Sequence, residues 1–398
     1  MRILFLSFYY KPDLCAGSFR ATALAEALSK KIGKADELHV LTTRPNRYRS
    51  YNVSTLDQEK RDNLGIWRIP LPPHRSGMLD QSIAFMTFAG AVLRQTAGKH
   101  YDLVFATSSR LMTATLGAIV SQRLKAPLYL DIRDIFPDTF ADIFAGRPQR
   151  FILPVVRMIE KKTILKAARV NLVSSGFVEY FQKIKSTNDF RTFTNGIDDE
   201  FLTFQFNPSR AENNRKLIIY AGNIGEGQGL HRIIPDAALA LKDKVEFWVI
   251  GDGGTRPKLE AFAREKRIDN LRVMDPLPRD QLIKLYAIAD VLFLHLNDYA
   301  AFHKVLPSKI FEYAATGKPI LAGVGGYARS FIQEHIPNAA LFDPCDPKGL
   351  VAALKRLDYS HNARTQFLKK FARAVIIERM ADDLMDLASR GLQQEIGP

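Results

Sequence analysis

Leu217-Ile218-Ile219-Tyr220-Ala221 runs straight into Gly222-Asn223-Ile224-Gly225-Glu226-Gly227-Gln228-Gly229-Leu230, and this junction decides the fold. Five apolar residues in a row read as a strand buried on both faces, as inside a parallel sheet. The glycines that follow let the backbone approach a phosphate, and a helix opening at 229 aims its unpaired N–H groups at it. A second stretch reads Leu306-Pro307-Ser308-Lys309-Ile310-Phe311-Glu312-Tyr313, then Ala314-Ala315-Thr316-Gly317-Lys318-Pro319-Ile320. It sets one carboxylate, Glu312, on a short helix that Pro-Ser enters and Gly-Lys-Pro ends ahead of another strand. Together the two stretches read as a nucleotide-sugar site: a diphosphate held between two segments, with a carboxylate for the ribose.

Working outward, the same strand-then-helix rhythm fills the chain. Past 217–221, strands are expected at 245–250, 271–274, 291–294, 320–322 and 340–342. Helices are expected at 229–241, 256–266, 279–287, 308–316, 327–334, 348–356 and, as one long element, 362–388. The N-terminal half gives strands at 2–6, 37–41, 66–69, 103–106, 128–131, 170–173 and 190–193. Its helices fall at 18–32, 82–97, 111–124, 150–167 and 176–183. Such alternation implies parallel sheets covered by helices, hence an α/β chain of two Rossmann-like domains facing each other across a cleft. The boundaries read 1–200 and 215–375, with the polar stretch 207–214 as linker and a helix over 376–398 packing back on the first domain. Open α/β sheets bind ligands at the carboxyl ends of their strands, where Gly17, Asp134, Gly222, Gly251 and 306–312 all fall.

Composition narrows the class. At 398 residues, with 46% hydrophobic and 25% charged residues, the chain is an ordinary globular protein of two domains. Two cysteines, Cys15 and Cys345, have no metal spacing and suit a reducing cytoplasm. The opening Met1-Arg2-Ile3-Leu4-Phe5-Leu6-Ser7-Phe8 is a first strand and not a leader, since charged Lys11 and Asp13 follow so soon. No segment supplies the ~20 apolar residues of a membrane span. The net charge of +14 comes from scattered basic residues with no arginine-aromatic module, which argues against nucleic acid as a partner.

The motifs together resemble a family. The chain is similar to the GT-B glycosyltransferases of family 4, and more narrowly to the fucosamine-transferase-like branch of bacterial O-antigen, capsule and colanic acid gene sets. The resemblance covers nearly the whole chain. It rests on Tyr10-Lys11-Pro12 leading to Gly17, Asp131-Ile132-Arg133-Asp134-Ile135-Phe136-Pro137 and Asn195-Gly196-Ile197-Asp198. The 222–230 loop, Gly251-Asp252-Gly253 and 307–319 complete it. Two positions depart from the broader family. Lys304 stands eight before Glu312 where a second glutamate is usual, and Asn223 and Gln228 stand where an Arg and a Lys are usual. Which cation neutralises the leaving diphosphate therefore stays open between Lys304 and Lys309.

The resemblance implies roles by position. Gly17, Gly222, Asn223, Gln228 and Gly251 would admit the donor's diphosphate and base. Leu277, Lys304, Val305, Leu306, Pro307, Ser308 and Glu312 would line the donor loop, with Glu312 accepting both ribose hydroxyls. Lys309 would stabilise the departing charge, and Arg133 with Asp134 would hold the acceptor hydroxyl in the N-terminal, acceptor-binding domain. Plainer readings compete: a solvated carboxylate for Glu312, a helix cap for Ser308, a backbone role for Gly17 and an internal ion pair for Arg133–Asp134. No D-x-D triplet occurs, so neither a metal nor a cofactor beyond the nucleotide-sugar substrate is expected. The expected activity is retaining transfer from a UDP-sugar to a lipid-linked or oligosaccharide acceptor. The apolar segment 83–94 is either a buried helix or a peripheral contact with the cytoplasmic face of the inner membrane. Two rivals remain, a nucleotide-sugar epimerase of the same fold and a non-catalytic scaffold of a polysaccharide assembly complex. A dehydrogenase is disfavoured, because the first turn lacks G-x-G-x-x-G.

Overall fold

A computed structural model describes residues 1–46, 53–72, 78–108, 111–138, 149–186, 190–206 and 215–395. It divides the chain into a first unit, Met1–Asn195 with Ala374–Pro398, and a second, Gly196–Arg373. The expected linker at 207–214 lies outside the described residues.

The first unit is built on eight strands: β1 Arg2–Leu6, β2 Glu37–Thr43, β3 Gln58–Arg61, β4 Leu64–Ile69, β5 Leu103–Thr107, β6 Leu128–Ile132, β7 Arg169–Leu172 and β8 Phe190–Arg191. Their order is β3-β4-β2-β1-β5-β6-β7-β8, parallel except where β3 pairs antiparallel with β4. The strand order reverses between β1 and β5, the kind of switch point at which open α/β sheets bind ligands. β3 is absent from the sequence reading because Gln58-Glu59-Lys60-Arg61 has no apolar face. It is an edge strand turned back at Asp62-Asn63, with Asp62 at φ 51°.

The second unit carries β9 Lys216–Ala221, β10 Val245–Ile250, β11 Leu271–Met274, β12 Val291–His295, β13 Ile320–Gly323 and β14 Ala339–Phe342. The order β11-β10-β9-β12-β13-β14 is wholly parallel, with its switch point between β9 and β12. Leu217 to Ala221 are all buried, as a strand covered on both faces requires. Beneath it, Ile233, Ile234 and Ala237 of the helix Leu230–Ala240 pack with Leu350, Ala353 and Leu354 of the helix Pro347–Arg356.

The long helix expected at 362–388 is two helices, Thr365–Phe371 and Arg373–Glu395, parted by extended Ala372. The backbone there is taken by another partner: Ile197 bridges to Ala372, donating to Phe371 O at 2.8 Å and accepting from Arg373 N at 2.7 Å. Gly196 is required beside it, because a Cβ would sit 2.5 Å from the Arg373 Cα. Beyond the break, Ile377, Met380, Ala381, Leu384 and Ala388 enter the core of the first unit alongside Leu24, Leu28 and Tyr129. Arg20, 1% exposed, fastens this corner. It grips Asp131 through both carboxylate oxygens at 3.0 Å, donates to Thr194 O and Phe193 O, and touches the Met380 sulfur.

Candidate functional site

β9 ends at the switch point of its sheet, and glycines take over at once. Gly222 has φ 138° and Gly251, after β10, has φ 150°, values that L side chains rarely adopt. A Cβ on Gly251 would overlap the Gly222 carbonyl, and one on Gly222 would overlap the Lys309 ammonium. The two glycines thus let two strand ends and a lysine share one small space. Lys309 also lies over the Tyr220 ring, 5.3 Å from its centroid, and the Tyr220 hydroxyl donates to Asn223 O at 2.6 Å. The Tyr313 hydroxyl accepts from the Ala221 amide at 3.2 Å, fixing the helix Lys309–Ala315 against the strand end.

The loop that follows is held by its own side chains. Asn223 Nδ2 donates to Gln228 Oε1 at 2.7 Å, so these two residues fix the loop's shape. After β12, the Asn297 amides bond Gly227 O and Glu226 O. His295, fully buried, accepts the Cys345 N–H at Nε2 (2.9 Å), so Nδ1 carries the proton and donates to Gln228 O at 2.6 Å. Burial pushes its pKa down to about 4, and the imidazole stays neutral. Gly229, left-handed at φ 58°, then starts the helix Leu230–Ala240, and its carbonyl accepts the Arg232 N–H at 3.0 Å. Sequence reading passed over His295 and Asn297, since their role is visible only once β12 lies beside β9.

Glu312 is 16% exposed, and its Oε1 lies 3.4 Å from Arg279 Nη2. Arg279 pairs with Asp198 as well and lies over the Phe201 ring at 4.9 Å. Asp198 is shared with Arg373, whose Nη2 reaches it at 3.0 Å. Sequence reading missed Arg279, although Pro278 and the helix start at Arg279 marked the position. Ser308 stands at the N-cap position, but with helical dihedrals and no capping bond from its side chain. Leu306 is a core residue at 4% exposure, with Val305, Pro307 and Lys304 half-buried around it, and Leu277 is half-buried two residues before Arg279.

In the first unit Gly17 is buried within the first turn of the helix Ala16–Lys31, not in a free turn ahead of it, and its φ is not positive. Arg133 and Asp134 follow β6. The Arg133 amide donates to Ser108 Oγ at 2.9 Å, and its guanidinium reaches Asn195 at 3.4 Å. Asp131 is structural: burial works against its charge, but Arg20 and Asn171 outweigh that and hold its carboxyl below the usual range. Asp134 lines a hollow with Ser108, Phe136, Thr163 and Glu160. Glu160, 3% exposed and bonded by the Tyr180 hydroxyl at 2.7 Å, was not singled out from sequence. Burial pushes its pKa up to about 7, with the charges of Asp138 and Asp134 adding to the rise.

The segment 83–94 lies on the helix Met78–Thr96. Phe88 is fully buried and Phe85 is 7% exposed, both against Phe8, while Ile83 and Met86 face outward. Among the described residues no helix is long and apolar enough to cross a membrane, and no group of three or more His, Cys, Asp or Glu could hold a metal.

Residues 203–373 match the model of the family described as Glycosyl transferases group 1. The chain is 32% identical over 146 residues to WcaI of Escherichia coli K12, named as a colanic acid biosynthesis glycosyl transferase; that stretch covers 36% of this chain and 35% of WcaI. It is 28% identical over 144 residues to WbjE of Pseudomonas aeruginosa, named as a glycosyltransferase, again spanning 35% of the relative. Across 97% of this chain and all of the other, the fold matches Anabaena HepE, solved in complex with UDP-glucose, at TM-score 0.67 and 16% identity. Residues 203–373 are thus similar to the glycosyl transferases group 1 domain, and the chain has the GT-B fold of two parallel-sheet units.

Proposed function

We propose that this chain is a glycosyltransferase of bacterial surface polysaccharide synthesis, moving a sugar from a UDP-sugar to a lipid-linked glycan with retention of the anomeric configuration. The observation that carries the reading is the space shared by Gly222, Gly251 and Lys309 at the β9 switch point. A diphosphate there would meet glycine backbone, the start of the helix Leu230–Ala240 and one ammonium. Support comes from the relatives' names and from UDP-glucose bound by a protein of the same fold.

In this reading the C1–O bond to the diphosphate breaks, and the acceptor oxygen bonds C1 on the same face. Lys309 opposes the charge that gathers on the departing phosphate, and Glu312 holds the ribose. Arg133 and Asp134 hold the acceptor hydroxyl, and its proton passes to the Asp134 carboxylate. The fucosamine-type branch remains the narrower proposal. The protein would work at the cytoplasmic face of a membrane, held as a peripheral protein where its acceptor lies.

The test is UDP release from UDP-sugars, with and without lipid-linked acceptor, and with EDTA present. Release that needs acceptor, survives EDTA and leaves the anomeric configuration unchanged by NMR is expected. A new UDP-sugar formed without acceptor would make the protein an epimerase, and binding without turnover would make it a scaffold.

A further inference from the structure

Glu312 does not stand alone in the second unit, and what it touches has a direction. Its Oε1 faces Arg279 Nη2 at 3.4 Å. Among the described residues its Oε2 takes no hydrogen bond, and that atom is not sealed from solvent. One oxygen is occupied and the other is offered.

Arg279 is itself fixed from three sides. It pairs with Asp198, stacks at 4.9 Å over Phe201, and sits at the start of the helix Arg279–Ile288. Asp198 in turn is gripped by Arg373, which follows the Ile197–Ala372 bridge. Arg373, Asp198, Arg279 and Glu312 thus alternate in sign along one line. Each charge is compensated by its neighbour, as partly buried charges require.

We propose that Arg279 is the positioning residue for Glu312, holding its carboxylate with the free oxygen turned to the ribose hydroxyls of the bound nucleotide, the 2′-hydroxyl among them. This rests on the reading of Glu312 as the ribose acceptor. A glutamate side chain has three rotatable bonds, so an unanchored Glu312 would have to give up that freedom on binding. A guanidinium anchor removes this cost beforehand. Arg279 touches no nucleotide in this account and acts only through Glu312. Asp198 and Arg373 hold Arg279 in turn, so the anchor runs back to the point where the chain enters and leaves the second unit.

The test is calorimetric binding of UDP and of 2′-deoxy-UDP to the full chain and to Glu312→Ala, Arg279→Ala, Arg279→Lys and the Glu312→Ala/Arg279→Ala double variant. Glu312→Ala should weaken UDP about tenfold or more, the loss expected for a charge-assisted contact, and should bind both ligands alike. Arg279→Ala should narrow the preference for UDP over its deoxy form, Arg279→Lys should restore part of it, and the double variant should be no weaker than Glu312→Ala. Asp198→Asn keeps the side chain's shape and serves if Arg279→Ala does not fold; it should narrow the same preference less. If Glu312→Ala weakens UDP while Arg279→Ala and Asp198→Asn keep the full preference, the positioning role is overturned and the ribose reading stands. Unchanged UDP affinity in Glu312→Ala would overturn both.

Discussion

At the scale of single residues, Lys309 and Gly222 make the sharpest claim, because the space one vacates is the space the other fills. Lys309→Ala removes the ammonium from the strand end and should lower kcat by about 10²–10³, the range seen when one preorganised charge-stabilising group is lost. Gly222→Ala should do nearly the same without touching Lys309, because its Cβ must push the ammonium away and its φ of 138° becomes strained. Steady-state transfer rates check both, with folding followed by circular dichroism. A Gly222→Ala enzyme of normal kcat would mean that the ammonium's place does not matter. The glycines were legible in the sequence as a turn, because an unbroken apolar strand runs straight into them. Their lysine partner was not legible as a contact: it lies 87 positions further along, and only the pairing of β9 with β12 brings it near. Arg279 was illegible for a related reason, since an arginine at a helix start looks like any solvated one.

At the scale of elements, apolar periodicity located nearly every strand and helix, and two failures teach the most. β3 is polar and lives on backbone pairing alone. The break at Ala372 interrupts a sequence with full helical pattern, because pairing to Ile197 outweighs local propensity. The helix Met78–Thr96 taught a third lesson: apolar all round, it sends its phenylalanines inward, so Phe85→Ser with Phe88→Ser would damage the core and say nothing of membranes. A better surface lies on the helix Gln149–Lys166, where Ile152, Val155, Met158 and Leu165 are 43–49% exposed beside exposed Lys161, Lys162 and Lys166. Apolar residues interleaved with lysines suit an anionic lipid surface, to which each lysine adds about 1 kcal/mol. Co-sedimentation with anionic liposomes should therefore fall with salt, and fall again in Val155→Ser/Met158→Ser with the fold intact. Binding indifferent to salt and to lipid charge would refute this face.

At the scale of the whole molecule, two buried groups, one in each unit, should answer acid in opposite ways. Glu160 in the first unit has its pKa raised from 4.5 to about 7, so its native state holds the proton more tightly than the unfolded chain. That contribution is complete below pH 4.5 and is lost as pH rises through 7, by on the order of 3 kcal/mol. His295 in the second unit is depressed from 6.5 to about 4. Its contribution is complete above pH 6.5 and is lost as pH falls through 4, by a similar amount. Urea titrations at pH 7.5, 6 and 4.5 should show the stability gap between wild type and Glu160→Gln moving in favour of wild type on acidification. The gap to His295→Gln should move the other way, and parallel gaps would refute both assignments.

The return of the chain after Ala372 also bears on how the protein is made. The first unit's core includes Met380, Ala381 and Leu384, and Arg20 and Asp131 meet beside that same helix. On the ribosome, the residues translated first must therefore wait for some of the last. The second unit, continuous from Gly196 to Arg373, emerges in between, during roughly 10–40 s at ordinary elongation speed. The later-synthesised unit can close first, while the earlier one keeps Leu24, Leu28 and Tyr129 uncovered and open to chaperones. For this chain the order of birth and the order of completion are reversed.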